Sequence, residues 1–191
     1  DELLRGEFPE GALNAVQHGA SDYAVANWAV YAHRRSPRDS KTAKELLAHP
    51  SPLVRRVAVQ WAGEERLTDL RPAVEAILTA DSMTADLFLA TLAALEMLDG
   101  RSPQDFDKTP PGKYVLPLLK DPKASVSVRA QALKLLPPTA PEISSTDLAT
   151  WAASPNDAFA MEAVRSLGGR EDAAAERALL AISGEASAKS D

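Results

Sequence analysis

The sequence predicts an all-α fold, a right-handed α-solenoid of antiparallel helix pairs, on three observations. Aromatics make up only 5% of the 191 residues and the apolar content leans on Ala and Leu, which suits close-packed helices better than strands built from Val, Ile, Tyr and Phe. A segment recurs: Val54-Arg55-Arg56-Val57-Ala58-Val59 and Val128-Arg129-Ala130-Gln131-Ala132-Leu133 share Val-Arg-x-x-Ala followed by an aliphatic residue, without a gap. Weaker copies centre on Ala29, Ala94 and Ala163, and a loose repeat whose length changes fall in loops is the behaviour of stacked helical repeats. Within a copy the apolar positions fall at i, i+4, i+5 and i+8, as in Val54, Ala58, Val59 and Ala62 or Phe159, Ala163, Val164 and Leu167, which is one face of an α-helix.

Each copy follows a shorter apolar segment ending in a turn: Leu46-Leu47-Ala48-His49-Pro50, Ile77-Leu78-Thr79-Ala80-Asp81, Leu118-Leu119-Lys120-Asp121-Pro122 and Trp151-Ala152-Ala153-Ser154-Pro155. Pro next to Ser or Asp stops one helix and starts another. The pattern therefore predicts helix pairs at 9–18 with 22–35, 38–48 with 51–63, 69–79 with 83–98, 113–120 with 124–136, and 144–153 with 155–167, then a lone helix at 171–182. Pro117 is expected to shorten or bend its helix, because it lacks a donor N–H and crowds the preceding carbonyls. Asp99 to Gly112, with Pro103, Pro110 and Pro111, reads as a surface loop. One repeat domain is expected over 9–183, after a lead-in at 1–8 and before a small, polar, flexible tail at 184–191. The start Asp1-Glu2-Leu3 and the uncovered apolar residues Leu179, Leu180 and Ile182 of the lone helix suggest a piece of something longer.

The second helix of each pair, with Asp-Pro before Val-Arg-x-x-Ala-Leu-x-x-Leu, resembles HEAT and HEAT-like (armadillo-like) repeats; the best match is Asp121-Pro122 with Val128, Arg129, Ala132, Leu133 and Leu136. The resemblance spans about residues 9–182, clear in the copies at Val54 and Val128 and degenerate where Ala26, Thr91 and Ala160 replace the arginine. His49-Pro50-Ser51-Pro52-Leu53-Val54-Arg55-Arg56-Val57-Ala58-Val59 also resembles the HEAT segment that joins a propeller dehydrogenase to a Cys-x-x-Cys-His haem domain in large bacterial redox proteins. The first resemblance implies structural roles for Val54, Arg55, Ala58, Val128, Arg129 and Ala132, with Asp81 and Asp121 as partners or caps. The second implies a periplasmic or otherwise extracytoplasmic spacer; without it the cytoplasm is the expected place.

Charge and residue types narrow the function. Lys and Arg number 21 against 27 Asp and Glu, a formal net charge of -6, so the molecule as a whole repels nucleic acid and anionic surfaces. Cysteine is absent, which removes disulfides, thiolate nucleophiles and Cys-ligated metals. His18, His33 and His49 fall in or beside turns at spacings that set no two on one helix face, giving no support for a zinc site or histidine dyad. No phosphate loop, dinucleotide fingerprint or nucleophile elbow occurs, and no run of 18 apolar residues. Trp28, Trp61 and Trp151 read as core residues. A basic patch at Arg34, Arg35, Arg38, Lys41 and Lys44, close to Arg55 and Arg56, contrasts with the acidic stretch from Glu142 to Asp191.

The function expected is non-catalytic: a protein-interaction, spacer or scaffold module, monomeric, without cofactor or membrane insertion, engaging a protein partner or neighbouring domains of the same chain. Arg56, Gln60, Thr91, Gln131 and Lys134 are the candidate groove residues. The competing readings are a nucleic-acid-binding protein of DNA-glycosylase type and a HEAT-type bilin lyase or cofactor-handling protein. Each needs a polar cluster inside the groove that the sequence does not show.

Overall fold

A computed structural model describes residues 21–80, 83–104 and 112–188. They form ten α-helices and one short 3-10 turn, with no strand among the described residues. The helix expected at 9–18, Asp81 and most of the loop before Gly112 lie outside them. The chain divides into two compact units, Asp1–Phe106 and Asp107–Asp191.

The first unit holds α1 (Asp22–Arg35), α2 (Ser40–Leu47), α3 (Pro52–Glu64), a 3-10 turn at Thr68–Leu70, α4 (Arg71–Ile77) and α5 (Ala85–Leu98). Helix α3 is central, packing against α1, α2 and α5, while α4 packs on α5 and α2. Its buried face carries Val54, Ala58, Val59, Trp61 and Ala62, the face the repeat pattern marks. The helix expected from residue 69 instead becomes a 3-10 turn followed by α4, because Pro72 occupies the first turn, where its missing N–H and fixed φ favour a helix start. Beyond α3, Arg66 adopts φ 51°, and Leu67 N donates to Ala62 O at 2.9 Å. This is a left-handed helix end that glycine usually supplies, as Gly100 does after α5 at φ 88°.

The second unit holds α6 (Gly112–Lys120), α7 (Val126–Leu135), α8 (Ser145–Ala152), α9 (Asp157–Gly168) and α10 (Ala173–Ala188). Helix α7 packs on α6 and α9, and α8 on α9 and α10. Pro117 does not cut α6 short: the helix runs on to Lys120 with the ring exposed. Helix α10 also outruns its expected end at 182, since the small, Ala-rich sequence beyond it has high helix propensity and one Gly costs only about 1 kcal/mol. Leu179 and Ile182 are half-buried on this helix and Leu180 is exposed.

Helix starts follow the side chains that can cap them. Asp39, Thr84, Ser125, Ser144 and Asn156 each accept the backbone N–H three residues on, satisfying donors that the helix itself leaves open. Ser144 and Asp147 form a reciprocal capping box on α8. The Asp147 carboxyl is held below the ordinary aspartate value by the Ser144 hydroxyl and amide. At Asp39 burial pushes upward, but hydrogen bonds from Thr42 and Lys41 outweigh it and the net shift is downward. Asp172, before α10, is lowered by the Ser145 hydroxyl and then by the Ala175 amide.

All three carboxyls are more acidic folded than unfolded, so their stabilisation is complete above the ordinary value of 3.8 and is lost as pH falls through the lower folded values. Asp147→Ala is therefore expected to cost roughly 0.5–1 kcal/mol at pH 7. Parallel melts should show that gap narrowing below pH 3.8; a constant gap would mean that the carboxylate does not carry the cap.

Candidate functional site

In the first unit the basic patch sits on the end of α1, the following turn and α2. Arg34, Arg35, Arg38, Lys41 and Lys44 are all exposed. Arg34 and Arg35 end α1, where cations suit the helix dipole. Beneath them the turn is fastened to the end of α3. Arg38 Nη1 donates to the Glu65 carbonyl at 2.7 Å, and the Trp61 indole N–H donates to the Pro37 carbonyl at 2.7 Å. The His33 ring stacks on Trp61 with centroids 5.1 Å apart and planes 20° apart, and His33 Nε2 lies 3.0 Å from Glu65 Oε1. The cations thus stand on and to either side of a turn anchored at several points.

The His33–Glu65 pair is invisible to a search for paired histidines. It becomes legible only when the copies are aligned on Ala29 and Ala58, which brings both residues to the same end of neighbouring helices. Trp61 is fully buried, as expected, whereas Trp28 and Trp151 are half-buried. Trp151 instead forms one wall of an open pocket, tilted against Phe159 at 5.6 Å between centroids.

The two repeat arginines occupy matching places. Each is the fourth residue of its helix, Arg55 in α3 and Arg129 in α7, and each stands between the end of the preceding helix and the helix that follows. Arg55, only 8% exposed, borders a depression of about 330 Å³ with Lys44 and Leu47 of α2 and Ala73 and Ile77 of α4. Arg129 borders one of about 360 Å³ with Leu119 and Lys120 of α6 and Asp147 and Trp151 of α8. Val54, Ala58, Val128 and Ala132 are fully buried beside them.

Asp121 is not the partner of Arg129. Its carboxylate accepts the Lys123 amide at 2.8 Å, consumed within its own turn as Asp residues there often are, and Arg129 Nε donates to the Leu119 carbonyl at 3.2 Å. Arg170, which the repeat pattern does not mark, has the similar task of donating to the Pro138 and Ala140 carbonyls at 2.9 and 3.0 Å.

The candidate groove residues do not behave alike. Arg56, Gln60 and Lys134 are exposed and Gln131 half-exposed, with Gln60 Nε2 donating to Glu64 Oε1 at 2.6 Å. Thr91 is fully buried and its hydroxyl donates to the Leu87 carbonyl at 2.7 Å, so it lines no groove. A threonine bonded back to its own helix presents its methyl group and packs as an apolar residue. Arg56 and Gln60 belong to the first unit, and Gln131 and Lys134 to the second.

Among the described residues no three His, Asp or Glu side chains converge to hold a metal ion, and no helix is long and apolar enough to cross a membrane. Set against known protein families, characterised proteins and solved structures, the chain matches none.

Proposed function

We propose that the chain is a HEAT-like helical-repeat module, a right-handed solenoid of antiparallel pairs, that works without catalysis as an interaction or spacer segment of a longer polypeptide. The observation that carries this reading is the equivalence of Arg55 and Arg129. Each is the fourth residue of its helix and lies between the helix before it and the helix after it, which supports one structural unit used at least twice. The packing order supports it: within the first unit α1 touches α3 and α3 touches α5, and within the second α7 touches α9 and α8 touches α10. Contact between alternate helices is what two stacked rows require. Such stacks present long exposed faces, and their usual work is to hold a protein or a neighbouring domain. The anchored cations Arg34, Arg35, Arg38, Lys41 and Lys44 point to an acidic polypeptide as the partner chemistry.

Two anisotropy titrations near 150 mM salt, where the Debye length is about 8 Å, test this. Labelled poly-glutamate is expected to bind in a salt-sensitive way and to be lost in the Arg34→Glu/Arg35→Glu/Arg38→Glu variant, while duplex DNA shows no saturable binding. Micromolar DNA binding abolished by the same variant, or base release from an alkylated duplex, would replace the reading with the nucleic-acid one.

A further inference from the structure

We propose that the pocket at Arg129 in the second unit is a carboxylate-binding site, taking an acid group carried beside an apolar one on a partner polypeptide. The proposal rests on the interaction-module reading and assigns that module a specific contact away from the basic patch.

The guanidinium of Arg129 is fixed in advance. Its Nε donates to the Leu119 carbonyl at 3.2 Å, and its carbon lies 4.7 Å from the Phe159 ring centroid and 5.7 Å from that of Trp151. Two aromatic neighbours and one backbone bond together restrain the group, so less conformational freedom is left to lose on binding. No further hydrogen bond of this group occurs among the described residues. None of its nitrogens is a buried donor lacking a partner, so neither of the two Nη groups is sealed from solvent. They form the edge that pairs bidentately with a carboxylate.

The other charges of the pocket set the ligand's chemistry. Lys120, exposed on the rim, adds a second cation, while Glu142 and Asp147 add two anions. Asp147 already accepts from the Ser144 amide at 3.1 Å and hydroxyl at 2.6 Å, so it is committed to the α8 cap. With two cations set against two anions, the pocket has no net positive charge to favour a doubly charged phosphate over a singly charged carboxylate. The half-buried face of Trp151 supplies the apolar wall, which favours a carboxylate next to an aliphatic side chain. A chain-terminal carboxylate after Leu and a Glu side chain share this chemistry.

The test follows the Trp151 indole N–H and the Arg129 Nε–H by two-dimensional ¹⁵N NMR during addition of N-acetyl-leucine, N-acetyl-leucinamide, N-acetyl-glutamate α-amide and inorganic phosphate. Both carboxylates are expected to shift these two signals saturably, and the stronger of the two identifies the source of the acid. The uncharged amide should bind roughly tenfold more weakly or worse, the loss of one charge-assisted pair, and phosphate should bind less well than either acid. Arg129→Lys should weaken N-acetyl-leucine by about tenfold, since an ammonium keeps the charge but not the planar fork, and Lys120→Gln by a smaller factor. Equal shifts with acid and amide, no shift at either signal up to about 20 mM, or shifts confined to Arg34, Arg35 and Arg38 would overturn the assignment. If Arg129→Lys melts the unit, the acid–amide comparison on the unaltered chain decides alone. Poly-glutamate binding at the basic patch is read on other residues, so either proposal can fail without the other.

Discussion

Val128→Asp is expected to unfold the unit that contains it. Val128 is completely buried in the first turn of α7, where that helix packs on α6 and α9. The substitution removes an apolar side chain whose burial contributes about 1.5–3 kcal/mol and places a carboxyl in the same interface. Whether the new group stays charged or takes up a proton, burial without a partner adds several kcal/mol. A total of about 4 kcal/mol or more is a large share of the roughly 5–15 kcal/mol that a native domain has to lose, and a unit this small has a modest core. Leu133→Asp, five residues further along the same helix and almost as buried, should behave the same way. Val126→Asp is the control: its side chain is 37% exposed on the same turn, and an acid there suits the helix N-terminus, so its effect should stay within about 0.5 kcal/mol. Thermal melts followed by circular dichroism separate these cases. Equal melting temperatures for Val126→Asp and Val128→Asp would mean that the buried face of α7 is wrongly assigned.

The readability of that face in the sequence has a physical basis. The five anchor alanines, Ala29, Ala58, Ala94, Ala132 and Ala163, are all at most 1% exposed, because a small residue at helical spacing is a local requirement of close helix approach. Caps are local too: Ser125 and Asn156, three residues before the apolar Val128 and Phe159, mark the starts of α7 and α9, and the Ser144-x-x-Asp147 capping box marks that of α8. The polar fastenings are different in kind. His33 with Glu65, Ser145 with Asp172, Arg38 with the Glu65 carbonyl and Arg170 with the Pro138 carbonyl join residues 27 to 32 positions apart. Nothing local distinguishes these side chains from solvated ones. The same holds at Arg129. The repeat pattern identifies it as special, but its seat on Phe159 and Trp151 depends on how α7, α8 and α9 meet, and with it the half-buried pocket that a core assignment of Trp151 misses. Thr91 fails in the opposite direction: a polar residue type suggested a surface, and a bond to its own helix permitted burial.

Gly63→Val is expected to lower stability by about 3 kcal/mol, and even Gly63→Ala should be destabilising. Glycine inside a helix costs roughly 1 kcal/mol relative to alanine, so its presence near the end of α3 needs a compensating contact. That contact is α5: a Cβ added at Gly63 would lie 2.8 Å from Ala94 Cα and 2.9 Å from Ala94 Cβ, with Met97 Sδ at 3.4 Å. The first obstacle is backbone, which cannot rotate away, so the helices must move apart. Separation would loosen the α3–α5 interface around Ala94, which is itself a repeat anchor. For alanine the gain in helix propensity offsets part of the clash; for valine the two further methyl groups add overpacking of about 1–3 kcal/mol and lose χ1 freedom as well. In a unit of this size about 3 kcal/mol corresponds to a fall in melting temperature of roughly 10–20 °C. Gly168 supplies the counter-case. It also lies in a helix, the last residue of α9, but an added Cβ would meet nothing within 4 Å. Gly168→Ala should therefore gain a few tenths to about 1 kcal/mol from propensity alone. The same substitution is thus expected to act with opposite signs at the two sites, and a rise in melting temperature for both would show that α3 and α5 are not as close as Gly63 requires.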